Sequence, residues 1–169
     1  TQLVRRSAYV LRLDVAHYFE SIPHDPLCEL FGRLFKEPPL LKLIELILRH
    51  PTPFGEPHRG LPIGSLTSQH AANLYLSPLD HHITRALPFK VRWVRYMDDL
   101  VVGVSSPAEA WRVRDEVEVW LNARGLKLKP SATQLSAQRA GVSALTQVEL
   151  SGATLDLKAR TLTRGERCE

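Results

Sequence analysis

Residues 91–104, VRWVRYMDDLVVGV, constrain the fold more than any other stretch, because two strand-type runs are interrupted by an adjacent pair of acids, Asp98 and Asp99. β-Branched and aromatic residues on both sides of a short polar break make an antiparallel hairpin with the acids at its tip. One Asp or an Asn-Gly pair would turn the chain more easily. Two carboxylates there mean either a solvated tip or a cation site. A second strand-type run, YVLRLDV at residues 9–15, also ends at an acid, Asp14. In an antiparallel sheet its end lies beside the hairpin tip, which would gather Asp14, Asp98 and Asp99. Three carboxylates in one small space repel unless a cation sits among them, and hard oxygen donors select Mg²⁺, with Mn²⁺ as the alternative.

The rest of the chain supplies helices for one face of that sheet. After Ser21, expected as an N-cap, with Pro23 in the first turn, Leu27, Leu30, Phe31, Leu34 and Phe35 recur at helical spacing. Pro38-Pro39 breaks the chain before a second helix, whose buried stripe is expected to be Leu40, Leu41, Leu43, Ile44, Ile47 and Leu48. Residues 50–64, HPTPFGEPHRGLPIG, hold four of the twelve prolines and three of the nine glycines, which predicts a structured loop. Ser65 to Ala86 reads as a helix with Leu66, Leu74 and Ile83 among its apolar positions and a kink or break at Pro78. Ala110, Val113, Val117, Trp120 and Leu121 mark an amphipathic helix that stops at Gly125. LKLK and VELSGATLDLK are strand-like, with a candidate turn at Ser151-Gly152. The order predicts an α+β fold, an antiparallel sheet with helices packed on one face.

Composition narrows the class of function. A chain of 169 residues with 44% hydrophobic and 24% charged residues fits one soluble domain. Cys28 and Cys168 imply no disulfide framework, no apolar run approaches a membrane span, and no signal peptide opens the chain; these features predict a cytoplasmic location and no membrane partner. A net charge of +4 and a pI near 9.3 favour a polyanionic partner such as nucleic acid. The seven histidines show no metal-ligand or zinc-protease spacing and are read as structural or solvated. Arg5, Arg6, Arg12, Arg92 and Arg95 are candidates to meet phosphates or simply solvated surface. The missing initiator methionine suggests an excised segment.

RYMDDLVV resembles the YxDD box of reverse transcriptases, and LRLDVAHYFESIPHDPL resembles their D-x-x-x-[FY]-F segment. GLPIGSLTSQHAANLYLSPLD is similar to the loop and helix that underlie incoming nucleotide and template. The three occur in the family's order over residues 9–104. The resemblance implies a polymerase palm of ferredoxin/RRM-like topology over residues 1–169, with the fingers largely missing upstream and the thumb missing downstream, and hence weak nucleic-acid binding on its own. It implies RNA-directed DNA polymerase activity with two Mg²⁺ ions, and as partners a template RNA, a primer strand and dNTPs. Ile63 to Gln69 reads I-G-x-x-x-S-Q, which resembles reverse transcriptases of diversity-generating retroelements. That subfamily adds errors at adenine and a small basic accessory protein; retron and group II intron enzymes are the neighbouring alternatives.

Carried over by position, Asp14 and Asp98 match the principal metal ligands, Asp99 the supporting acid, and the Val15 carbonyl a further ligand. Phe19 matches the side chain that excludes ribonucleotides, against a plain core aromatic, while Tyr18 is expected in the core. Ile63, Gly64, Ser68 and Gln69 match the nucleotide and template contacts, and Tyr96 and Met97 brace the primer terminus. Ile63 removes a hydrogen-bonding side chain near the nucleotide, so discrimination that rests on polar complementarity should weaken. Asn73 lies in the same region. The chain departs from the family after the amphipathic helix, where Ala132 stands at the expected lysine and SALT (Ser143 to Thr146) replaces the primer-grip element; Lys127 or Lys129 is the substitute proton donor. The rivals are a non-catalytic RNA-binding palm that scaffolds a ribonucleoprotein, and a palm-type nucleotidyl cyclase or primase, which the Ser65 to Ala86 element does not fit.

Overall fold

A computed structural model describes residues 7–49, 58–130, 133–137, 147–150, 153–156 and 161–164. Strand β1 (Tyr9–Leu13) lies between β3 (Asp99–Val104) and β4 (Gln134–Ala137), and β2 (Arg92–Tyr96) pairs with β3 at one edge. Every pairing is antiparallel, in the order β2-β3-β1-β4. The expected α+β sheet is therefore present. β4 has no clear sequence signal: the short alternation in Gln134–Ala137 is weak and becomes a strand by pairing with β1, Leu11 opposite Leu135. A separate meander, β5 (Gln147–Leu150), β6 (Ala153–Asp156) and β7 (Thr161–Arg164), includes the expected VELSGATLDLK strands. The Ser151-Gly152 turn, Ala132, SALT, Cys168, Arg5, Arg6 and residues 50–57 lie outside the described residues.

Side-chain alternation gives the four-stranded sheet two faces. Leu11 and Leu13 of β1 and Leu100, Val102 and Val104 of β3 join the core under the helices. Helix α5 (Pro107–Asn122) crosses this face, burying Ala110, Val113, Val117, Trp120 and Leu121, the five residues its sequence singled out. The Ser106 side chain caps its first turn by accepting from Glu109 N–H at 3.2 Å. Helix α4 (Leu66–Ala86) packs beside it and runs unbroken through Pro78. The missing Pro78 N–H leaves the Leu74 carbonyl without its helical donor, and the Ser77 hydroxyl donates to that oxygen at 2.8 Å instead. Leu66 is exposed at the helix start, whereas Ile83 is buried.

Two expectations about the first helices fail for identifiable reasons. A single turn, α1 (Tyr18–Ser21), precedes α2 (His24–Leu34), and it absorbs Ser21, so Pro23 rather than Ser21 stands at the cap of α2. Between them Ile22 is extended and its carbonyl accepts from Gly60 N–H. In α3 (Pro38–Leu48) the two prolines begin the helix, where no N–H is needed, and only Leu48 of the expected stripe is fully buried. Leu40, Leu43 and Ile47 are exposed because α3 packs chiefly on α2. Among the described residues no helix is long and apolar enough to cross a membrane.

Candidate active site

Register brings the acids to one end of the sheet. Leu13 pairs with Leu100, so the next residues outward on each strand, Asp14 and Asp99, face each other. Both follow the alternation of Val10, Arg12, Val101 and Gly103, which puts them on the face away from the α4 and α5 core. Tyr96 pairs with Asp99, leaving Met97 and Asp98 as a two-residue turn. Asp99 is thus the first residue of β3, and only Asp98 lies in the turn. Met97 has φ 56, a left-handed conformation that favours glycine.

Val15 continues β1 as an isolated bridge to Leu128, flanked by Ala16 N–H to Lys127 O at 2.8 Å and Lys129 N–H to Asp14 O at 2.8 Å. Because extended residues point their amides alternately to either side, the Val15 carbonyl is directed toward the β3 hairpin. Its side chain is buried.

Each acid on this face has a cation nearby. Asp99, 1% exposed, accepts from Arg12 Nε at 3.3 Å and Nη2 at 3.0 Å, both at Oδ1. Asp14 Oδ2 lies 3.6 Å from Lys129 Nζ, whose side chain is 53% exposed. In the turn, Asp98 is half-buried and close enough to act on the Tyr18 hydroxyl. That phenol is pushed far up, first by burial and then by Asp98, against a lowering from Arg95. Tyr18 donates to the Ala72 carbonyl at 2.5 Å, the core position expected of it. The expected gathering of Asp14, Asp98 and Asp99 into one three-carboxylate site is not met: among the described residues no three His, Cys, Asp or Glu side chains stand close enough together to hold a metal ion, because Asp99 is drawn down to Arg12 while Asp98 sits in the turn. The donor chemistry nevertheless suits a hard divalent cation: carboxylate oxygens at Asp14 and Asp98 and a carbonyl at Val15. The ammonium beside Asp14 stands on a long exposed side chain that can swing away. Asp99 is deeply buried and held by Arg12.

The other singled-out residues divide into two groups. Tyr96, 38% exposed, and Met97 lie at the hairpin tip with the acids. Phe19 packs edge-on against Tyr18 at 5.8 Å, and its carbonyl accepts from Leu61 N–H at 2.8 Å, which docks the 58–64 segment onto α1. Gly60, at φ 90, allows that approach, since a Cβ there would meet the Glu20 carbonyl at 3.3 Å. His24 Nε2 donates to the Gly60 carbonyl at 2.7 Å, a structural histidine as expected. Further along, Ile63 is 77% exposed, Gly64 adopts φ 91 and Gln69 is exposed. Ser68 differs: at 3% exposure it is buried in the first turns of α4, out of reach of a surface ligand.

The charges that organise the tip are not legible in the sequence. Arg12 and Arg95, candidates for phosphate, are engaged within the fold: Arg12 with Asp99, Arg95 with Asp80, Asn73 and the Met97 carbonyl. The alternation of Arg12 with Asp14 along β1 was the available signal for the first pair, and none pointed to the second.

Residues 1–153 match the family model described as reverse transcriptase (RNA-dependent DNA polymerase). No curated protein matches the sequence. Among solved structures, apo telomerase from Candida tropicalis is similar at TM-score 0.66 and 12% identity, over 96% of this chain and 34% of that one. A form of that enzyme truncated from its C-terminal domain gives TM-score 0.64 and 13% identity over 92% and 35%. Telomerase from Candida albicans, in complex with the TWJ fragment of telomeric RNA, gives 0.64 and 12% over 93% and 30%. At such identities the likeness is one of fold, and the chain spans about a third of the length of these telomerases.

Proposed function

This chain belongs to the reverse transcriptase (RNA-dependent DNA polymerase) family, and from that premise we propose that it is the catalytic palm of a polymerase that extends a primer 3′-hydroxyl with deoxynucleotides along an RNA template. The observation that carries the proposal is the placement of Asp14 and Asp99 opposite each other on one sheet face, with Asp98 in the adjoining turn. Asp14, Asp98 and the Val15 carbonyl would hold two Mg²⁺ ions, or Mn²⁺, and Asp99 would brace the tip through Arg12. Two divalent ions there supply the charge neutralisation that in-line phosphoryl transfer requires.

The chain's own residues orient the reactants. Tyr96 and Met97 support the primer terminus, Phe19 crowds the sugar, and exposed Ile63, Gly64 and Gln69 meet nucleotide and template. Ser68 supports the packing of α4 rather than touching substrate. The I-G-x-x-x-S-Q stretch favours the diversity-generating retroelement type, with errors at template adenines and a small basic accessory protein as partner. Nearly four-fifths exposed, Ile63 offers no side-chain hydrogen bond to enforce base complementarity.

Primer extension on an RNA template with Mg²⁺ tests both levels. Asp98→Asn should abolish extension, and Ile63→Gln should lower misincorporation at adenine while extension continues. Equal extension by parent and Asp98→Asn would refute the polymerase; unchanged error at adenine in Ile63→Gln would refute only the subfamily.

A further inference from the structure

The turn that carries Asp98 is fastened to helix α4 by the Arg95 guanidinium and by Asn73. Arg95, whose side chain is 9% exposed, donates from Nε to Asp80 Oδ1 at 2.8 Å and from Nη2 to Asp80 Oδ2 at 2.6 Å. Its Nη1 donates to the Asn73 side-chain oxygen at 3.1 Å and to the Met97 carbonyl at 2.8 Å. Asn73 returns to the same residue, with Nδ2 2.9 Å from Met97 Sδ. Asp80 and Asn73 are two helical turns apart and so share a face of α4. Two of these contacts reach Met97, at its carbonyl and at its sulfur, and its φ of 56 is one a non-glycine residue adopts only when its surroundings enforce it.

We propose that the Asp80–Arg95 pair is a positioning device that holds the Met97–Asp98 turn in its left-handed form and thereby sets where the Asp98 carboxylate stands. This rests on the reading that Asp98 binds a divalent cation. The fork geometry is essential to it: a bidentate grip on Asp80 leaves the third nitrogen aimed at the Met97 carbonyl. A lysine at 95 would keep the charge but, as a point donor, would not make both connections in fixed geometry. The arrangement also ties the hairpin tip to the helix whose start carries Gln69.

Met97 is the single methionine of the chain, so one ¹³C-methyl signal reports on the turn. The parent protein is compared with Arg95→Lys, Asp80→Asn, Asp98→Asn and Val113→Ala, the last thinning the core away from the turn. In metal-free protein Arg95→Lys and Asp80→Asn should shift or split the methyl signal, whereas Val113→Ala leaves it in place. On titration with Mn²⁺ alone, paramagnetic broadening in those two variants should need about tenfold more ion than in the parent, the scale on which groups that orient metal ligands act. Parental spectra and a parental Mn²⁺ midpoint in both variants would overturn the proposal, as would equal effects from Val113→Ala. If Mn²⁺ fails to broaden the parent, or broadens Asp98→Asn equally, the cation reading falls and takes the clamp's role in it along. That failure is recognisable because the metal-free spectra still report whether Arg95 holds the turn.

Discussion

Replacing Arg12 by methionine keeps most of the side chain's length and apolar stem and removes its charge from beside Asp99. The Asp99 side chain is 2% exposed and Arg12 is 30% exposed, with donor distances of 3.3 and 3.0 Å to one carboxylate oxygen. At that separation the attraction is about 5 kcal/mol at an effective dielectric near 20. Part of this is offset by the water that both charges gave up, and less so on the arginine side, which keeps some of its hydration. Breaking a fully buried pair costs about 3–5 kcal/mol, so this half-exposed case should cost about 2–3 kcal/mol. The loss is asymmetric. In Asp99→Asn the Arg12 guanidinium can still donate to the amide oxygen and otherwise keeps its hydration, so about 1 kcal/mol is expected. Arg12→Met in the Asp99→Asn background should then cost less than about 0.5 kcal/mol, a coupling of about 2 kcal/mol. Urea unfolding at pH 7, followed by circular dichroism, reads this as a midpoint lowered by about 1 M at unchanged slope. A single-variant cost below about 0.5 kcal/mol, or the same cost in both backgrounds, would show that the pair does not hold the buried acid.

The raised pKa of Tyr18, caused first by burial, makes stability fall at alkaline pH. Above its ordinary value of 10.0 the unfolded chain releases the proton while the folded one keeps it, so the contribution is whole below that value and shrinks as pH climbs. Tyr18→Phe loses the bond to the Ala72 carbonyl, about 1 kcal/mol near neutrality, but also loses an alkaline slope of about 1.4 kcal/mol per pH unit. Stability curves of parent and variant should therefore converge near pH 11, and parallel curves in denaturant titrations between pH 8 and 11 would contradict this. Gly60→Ala meets the Glu20 carbonyl at φ 90, whereas Gly64→Ala at φ 91 meets nothing within 4 Å. The first should cost about 2 kcal/mol and the second about 1 kcal/mol, in the same unfolding assay; equal losses would mean that only backbone strain acts.

How far the sequence could be read depended on whether a feature is local. The hairpin was legible because β-branched runs on both sides of two acids leave little choice, and the five buried residues of α5 were legible because its stripe is narrow and its other face charged. Helix α3 misled for the opposite reason. With Leu or Ile at positions 40, 41, 43, 44, 46, 47 and 48 it is apolar nearly all round, and which residues are covered depends on where α2 lies, not on spacing. Ser21 satisfied the local rule for a cap and lost to the α1 turn and to the pairing of Ile22 with Gly60. At the site the same division separates the acids from their counter-charges. Asp14, Asp98 and Asp99 stand out one at a time as acids at strand ends. Arg12 meets an acid 87 positions away only because Leu13 pairs with Leu100, which sets Arg12 diagonal to Asp99 on one face. A slip of one residue in that pairing would carry the guanidinium to a hydrophobic neighbour and the acid to the core side. Two of the five arginines read as phosphate candidates are thus spent within the fold, Arg12 on register and Arg95 on the turn. Lys129, 3.6 Å from Asp14 and 53% exposed, keeps its charge at the solvent edge of the same face.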